Sequence, residues 1–280
     1  MSSHRPLAVT AASAVAILGA GAVGARTLIV RQAAIARRRI GKPLGEQALD
    51  ADRVWRRKKH PGRPVELLLL GDSIAAGLGA THRRDTLGAR LAKGVARSAG
   101  RPVRLRTAAV VGSETSALAA QVASLPAGYR PDAAVIVVGG NDVTHRIPAS
   151  RAAEQLERVV RDLSGRGVPV VVGTCPDLGT LRAIPQPLRA FAARSSRQLA
   201  AAQAAAVHRV GGRVVALARA VGPVFAERPD EMFSEDRFHP SALGYRRTAE
   251  ALLPAVIEAL EPSPGVRAGD VPDRAGVPNS

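Results

Sequence analysis

Val65-Glu66-Leu67-Leu68-Leu69-Leu70-Gly71-Asp72-Ser73-Ile74 is the stretch on which the reading of this 280-residue chain turns. Val65–Leu70 is a short apolar run of the kind that forms a strand buried on both faces, and Gly-Asp-Ser ends it in a turn. Further strand candidates follow at Val103–Val111, Ala133–Val138, Val168–Val172 and Arg213–Leu217. Between them lie helical patterns. Leu156, Val159, Val160 and Leu163 recur at i, i+3, i+4, i+7 and form one apolar face. Pro187–Val210 reads as a long Ala-rich helix stopped by Gly211-Gly212, and a final helix runs from about Ser241 to Leu260. Five short strands alternating with helices predict an α/β domain: a three-layer α/β/α sandwich around a five-stranded parallel sheet, with right-handed crossovers. Ligands in such sheets bind beyond the carboxyl ends of the strands, so the chemistry is sought there.

Three strand ends and one loop near the C-terminus carry the candidate residues. Ser73, on a strand-to-helix turn, is placed either as an exposed nucleophile or as a plain helix N-cap. Gly112, after the second strand, either lets a backbone N–H approach a ligand or simply makes a turn. Asn141, in Gly139-Gly140-Asn141-Asp142, offers carboxamide donors to an oxyanion or else makes an Asx turn. His239 in Asp236-Arg237-Phe238-His239-Pro240 has a carboxylate three residues before it. It reads either as a base oriented by Asp236 or as an exposed pair at a helix start. Thr174 and Asp177 follow the fourth strand on the same edge and are candidates for a substrate pocket, as is His145. A structural loop and a surface histidine are the alternatives.

Taken in order along one sheet edge, these blocks resemble those of the SGNH (GDSL-type) hydrolases, over roughly Val65 to Leu260. Ser73-Ile74 fits that family's first block, whereas Val111-Gly112-Ser113-Glu114 keeps only the glycine of the second. The resemblance implies a flavodoxin-like fold and a serine esterase acting through an acyl-enzyme. It implies Ser73 as nucleophile, His239 as base and Asp236 as its orienting carboxylate. It also implies an oxyanion hole from the Ser73 and Gly112 N–H groups and the Asn141 side chain. The expected partner is an acyl ester, small or lipid; no metal or organic cofactor is implied, and a monomer is expected. A non-catalytic lipid- or envelope-binding module on the same fold is the alternative.

Composition sets the remaining bounds. The chain is 46% hydrophobic and 22% charged, which excludes global disorder. Its single cysteine, Cys175, excludes an intramolecular disulfide and a zinc site built on several cysteines. The net charge of +17 points first to nucleic acid, but aromatics make up only 2% of residues, too few for a base-stacking surface. The charge is also uneven: residues 1–64 hold 13 basic and 3 acidic residues, a net +10, and the rest holds 27 and 20, a net +7. No nucleic-acid partner is expected.

Leu7 to Ala25 is uncharged, and basic residues dominate its downstream flank. Residues 1–40 therefore read as a hydrophobic helix serving as a membrane anchor, with the following domain on the cytoplasmic side by charge bias. A cleaved signal with Val23-Gly24-Ala25 at its end, which would place the domain outside the cytoplasm, and a buried soluble helix are the alternatives. Gly19-Ala20-Gly21-Ala22-Val23-Gly24 matches a dinucleotide fingerprint literally but lacks the following strand and acidic residue, so no cofactor is assigned to it. Residues 41–64 read as a linker, 65–261 as the hydrolase domain, and 262–280 as a disordered tail.

Overall fold

The computed structural model describes Gly24 and residues 26–261. Within it, four consecutive leucines set the layering. Leu67–Leu70 are each 0% exposed, and the twofold side-chain period sends Leu67 and Leu69 into one core and Leu68 and Leu70 into another. These leucines lie on β2 (Val65–Gly71), the centre of a six-stranded sheet. The other strands are β1 (Val54–Trp55), β3 (Val103–Thr107), β4 (Ala133–Val137), β5 (Val170–Gly173) and β6 (Arg213–Val215), in the order β1-β3-β2-β4-β5-β6. The last five are mutually parallel.

Helix α1 (residues 26–40) precedes the sheet. The short helix α2 (Ser73–Ala76) follows β2, α3 (Leu87–Ala99) leads to β3, and α4 (Leu118–Ala123) leads to β4. Next come α5 (Gly140–Thr144), α6 (Ala149–Gly165) and α7 (Leu188–Arg209). After β6 lie three short helices, α8 (Leu217–Ala220), α9 (Gly222–Glu227) and α10 (Pro229–Met232), and finally α11 (Ala242–Leu260). Helices α3 and α11 cover the face of Leu67 and Leu69; α4, α6 and α7 cover the face of Leu68 and Leu70. On α6, the buried residues include Leu156, Val159, Val160 and Leu163, the face read from the sequence.

The three-layer arrangement and five parallel strands match the expectation, with one addition. The sheet has a sixth strand, β1, which runs antiparallel to β3 from within the segment expected as a linker. Asp52 accepts the Thr107 N–H at 2.9 Å, and the Arg53 carbonyl accepts the Leu105 N–H at 3.0 Å, so polar ties seat a strand of only two residues. The third element also ends early. Beyond Thr107 the chain leaves regular pairing, yet Ala108 and Val110 still donate to the Leu69 and Gly71 carbonyls, carrying the backbone along β2 toward Gly112. The uncharged segment 7–25 lies outside the described residues except for Gly24, as does the tail 262–280. Among the described residues no helix is long and apolar enough to cross a membrane.

Two buried glutamines pin the strand ends. Gln121 of α4 accepts the Gly71 N–H and donates to the Gly71 carbonyl, both at 2.8 Å. Gln203 of α7 accepts the Cys175 N–H at 2.8 Å and donates to the Val138 carbonyl at 3.0 Å. The Gln203 amide satisfies a donor and an acceptor beyond the end of the ladder, and the Gln121 amide adds a second donor to the Gly71 carbonyl that Val110 also reaches. Gln203→Leu therefore strands two buried backbone groups, and equilibrium urea unfolding should show a loss of about 2–4 kcal/mol at unchanged slope.

Candidate functional site

With β2 at the centre, the parallel strands follow the order in which the first crossover moves one way and the second the other. The resulting switch point lies between β2 and β4, where doubly wound sheets bind ligands. The turns after these two strands carry Ser73 and Asn141.

The approach of the turns demands glycine. Gly71 has φ +132°, and a Cβ there would stand 1.9 Å from the Val137 carbonyl oxygen. Gly139, at φ +140°, leaves no room for a Cβ beside the Cys175 side chain. The capping of α2 resolves the two readings of Ser73. Asp72 is the N-cap, its Oδ1 accepting the Ile74 N–H at 2.9 Å, while Ser73 is the first helical residue and keeps its hydroxyl free of that duty. The other oxygen of Asp72 accepts the Gly139 N–H at 3.2 Å, so one carboxylate ties both turns together. Burial pushes Asp72 up to about 6, against the pull of the Ile74 and Gly139 N–H groups and of His239.

Ser73 Oγ lies 2.9 Å from His239 Nε2, and His239 Nδ1 lies 2.6 Å from Asp236 Oδ2. Asp236 is buried at 3% exposure, and its Oδ1 accepts from Ser234 Oγ and from the Phe238 and His239 N–H groups at 2.8–2.9 Å. Burial alone would raise this carboxyl. The His239 ring and the two backbone donors outweigh burial and hold it below the usual carboxylate range. An ionised Asp236 fixes the proton on Nδ1 and leaves Nε2 as the acceptor facing the Ser73 hydroxyl. The loop bearing both residues is shaped by Arg237 at φ +57° and by the pairing of Ser234 N–H with the His239 carbonyl. Tyr245 of α11 braces the facing loop from behind, its hydroxyl donating to the Leu78 carbonyl at 2.6 Å.

Asn141, half-buried on α5, donates from Nδ2 to the Ser113 carbonyl at 2.9 Å, and its second N–H remains for a ligand. Next to it, fully buried Asp142 accepts the Thr115 N–H and the Thr115 hydroxyl at 3.0–3.2 Å. Burial raises the Asp142 carboxyl, and the Thr115 donors oppose that rise. His145, one turn further, pairs with Glu114 at 2.7 Å. Three side chains of this short segment thus fasten the loop that follows Gly112. Gly112 itself has φ +83° in an exposed turn and does not line the cleft.

Ser73, Asn141 and His239 line a cleft whose walls are largely apolar: Leu178, Leu181, Val221, Phe225, Phe233 and Phe238. Of the three pocket residues expected from sequence, Asp177 lines this cleft, with its carboxylate engaged by the Gly179 N–H and by Arg197. Thr174 is buried behind the cleft, and His145 faces Glu114 instead. The sequence reading missed the apolar walls, although three of the four phenylalanines fall in residues 225–238, just before His239. It also missed Asp72, Gln121, Thr115 and Asp142 as braces. Cys175 is buried, and its thiol is pushed well up by burial and then by the charges of Asp72, Asp142 and Asp177, which disfavours it as a nucleophile. Among the described residues no three His, Cys, Asp or Glu side chains cluster so as to hold a metal ion.

Comparison with known proteins identifies the family and the fold. Residues 69–247 match the GDSL-like Lipase/Acylhydrolase family. The chain is 40% identical over 285 residues to the GDSL-like esterase Rv1075c of Mycobacterium tuberculosis, covering 99% of this chain and 90% of that one. Two solved structures resemble it in fold. One is the lipase/acylhydrolase from Enterococcus faecalis, with TM-score 0.56 and 22% identity over 71% of this chain and 98% of that one. The other is TesA, with TM-score 0.57 and 21% identity over 69% of this chain and 99% of that one. A match over most of the sequence, joined to the same fold, means that the chain belongs to the GDSL-like lipase/acylhydrolase family and carries the SGNH hydrolase fold.

Proposed function

We propose that this chain, a carboxylic ester hydrolase by family, works through Ser73, His239 and Asp236 by way of an acyl-enzyme. The observation that carries the reading is the continuous hydrogen-bonded line from Ser73 Oγ through the His239 ring to Asp236. His239 Nε2 takes the Ser73 proton as Oγ attacks the ester carbonyl. Asp236 keeps the ring in the required tautomer and stabilises the imidazolium. The tetrahedral oxyanion is met by the free Asn141 N–H together with the Ser73 N–H; Gly112, outside the cleft, takes no part. His239 then returns the proton to the leaving alcohol. Water, activated by the same ring, releases the acid and restores Ser73. The apolar walls favour an acyl or alcohol group without charge.

A fluorophosphonate should label the wild-type chain, with the label lost in Ser73→Ala and His239→Gln; equal labelling of Ser73→Ala would falsify the assignment of the nucleophile. Asn141→Ala should lower kcat by about 10²–10³ while still folding in a single cooperative urea transition, with about 1 kcal/mol lost with the Ser113 hydrogen bond. Turnover at the wild-type level would remove Asn141 from the reaction.

Asp72 gives a separate dependence on pH. Its folded value of about 6 exceeds the unfolded carboxylate value near 3.9, so between these the folded chain holds a proton that the unfolded chain has released. Stability from this group is present at pH 4 and falls as pH rises through 6. Urea unfolding at pH 4 and pH 6.5 should show a smaller fall for Asp72→Asn than for the wild type. An identical fall in both proteins would assign the titration elsewhere.

A further inference from the structure

Among the described residues, the exposed large apolar side chains are Leu28, Val30, Leu49, Val110 and Phe191. Three of these, Leu28 at 46%, Val30 at 55% and Phe191 at 57% exposure, line one groove together with Ile29, Arg26 and Arg146. The groove forms where the start of α1 meets the first turn of α7, so it joins two elements far apart in sequence. A cluster of this kind marks a contact surface, whereas scattered single residues do not.

We propose that this groove and the exposed side of α1 lie against an anionic lipid bilayer. The charge along α1 fits that partner, and Arg26 and Arg146 line the groove itself. Residues 26–40 contain Arg26, Arg31, Arg37, Arg38 and Arg39 and no acidic residue, and all five arginines are exposed. Each arginine near an anionic surface contributes roughly 1 kcal/mol of attraction. The chain that precedes the groove fits too, because the uncharged run from Leu7 to Ala25 feeds directly into α1. In this proposal α1 lies along the interface, with its Leu28 and Val30 and the neighbouring Phe191 of α7 dipping in among the headgroups.

The other side of α1 is fixed to the domain. Gln32 accepts the Leu188 N–H at 2.9 Å and donates to the Gln186 carbonyl. Ala36 packs with Leu178, Leu181 and Ile184, and the first two of these also line the cleft. A helix resting on lipid is therefore one side-chain layer from the wall of the site. The surface belongs to the folded domain, not to a tether alone.

The test uses the full chain with Trp55→Phe and Phe191→Trp, so that one tryptophan reports the groove. With vesicles of phosphatidylcholine and phosphatidylglycerol carrying doxyl-labelled lipid, Trp emission should shift to the blue and be quenched. Pure phosphatidylcholine should bind at least about tenfold more weakly. Leu28→Asp with Val30→Asp should reduce partitioning to anionic vesicles about tenfold at an unchanged unfolding midpoint. Val30→Trp in the same background serves as a second reporter should the first alter folding.

Vesicle-bound protein without quenching would mean a tether through residues 7–25 alone, and would overturn the proposal. Blue-shifted emission without vesicles, independent of concentration, would mean that residues 7–25 fold back over the groove. The same shift rising with concentration would mean a second copy. Either result, or absence of vesicle binding, also overturns it.

Discussion

The backbones of Gly71 and Val137 pass so close at the switch point that no side chain fits between them, and the site depends on this contact. It brings the turn after β2 against the turn after β4, at the place where the sheet order diverges. The carboxylate of Asp72 then uses one oxygen for each turn. Holding a desolvated charge there costs free energy, and the raised titration of Asp72 reflects that cost. The gain is rigidity: the serine and the carboxamide sit on turns that cannot drift apart without exposing the buried carboxylate to an unpaired state.

A second set of ties runs on the other flank. Asn141, Asp142 and His145 engage Ser113, Thr115 and Glu114, so a five-residue helix is fastened to a loop whose own regular structure is a single 3₁₀ turn at Thr115–Ala117. The buried member, Asp142 with Thr115, carries most of the holding, since the exposed His145–Glu114 pair is screened by solvent. The position of the Asn141 carboxamide in the cleft is thus set by residues that do not line it, as preorganised sites require.

The five parallel strands were legible because burial on both faces leaves an apolar run that cannot be mistaken for a surface segment, as in Leu67–Leu70. Ser73, Asn141, Asp236 and His239 were legible because polar residues at successive strand ends stand out against those runs. Strand β1 was not: two residues have no periodicity, and its place depends on Asp52 meeting Thr107 across 55 positions. The cleft walls were hidden for a different reason. Leu178, Leu181, Phe225 and Phe233 have the same chemistry as core residues, and only their convergence in space separates a lining from a core. Thr174 and His145 were misplaced by proximity in sequence, because one turned inward and the other found Glu114.

The burial of Cys175 has a practical consequence. Its side chain packs against Gly139, without exposed surface, and its ionisation is suppressed first by burial and then by the charges of Asp72, Asp142 and Asp177. Peroxide and alkylating reagents act on thiolates, so the folded chain offers them almost nothing to attack. Loss of that resistance would also signal that the strand ends had opened.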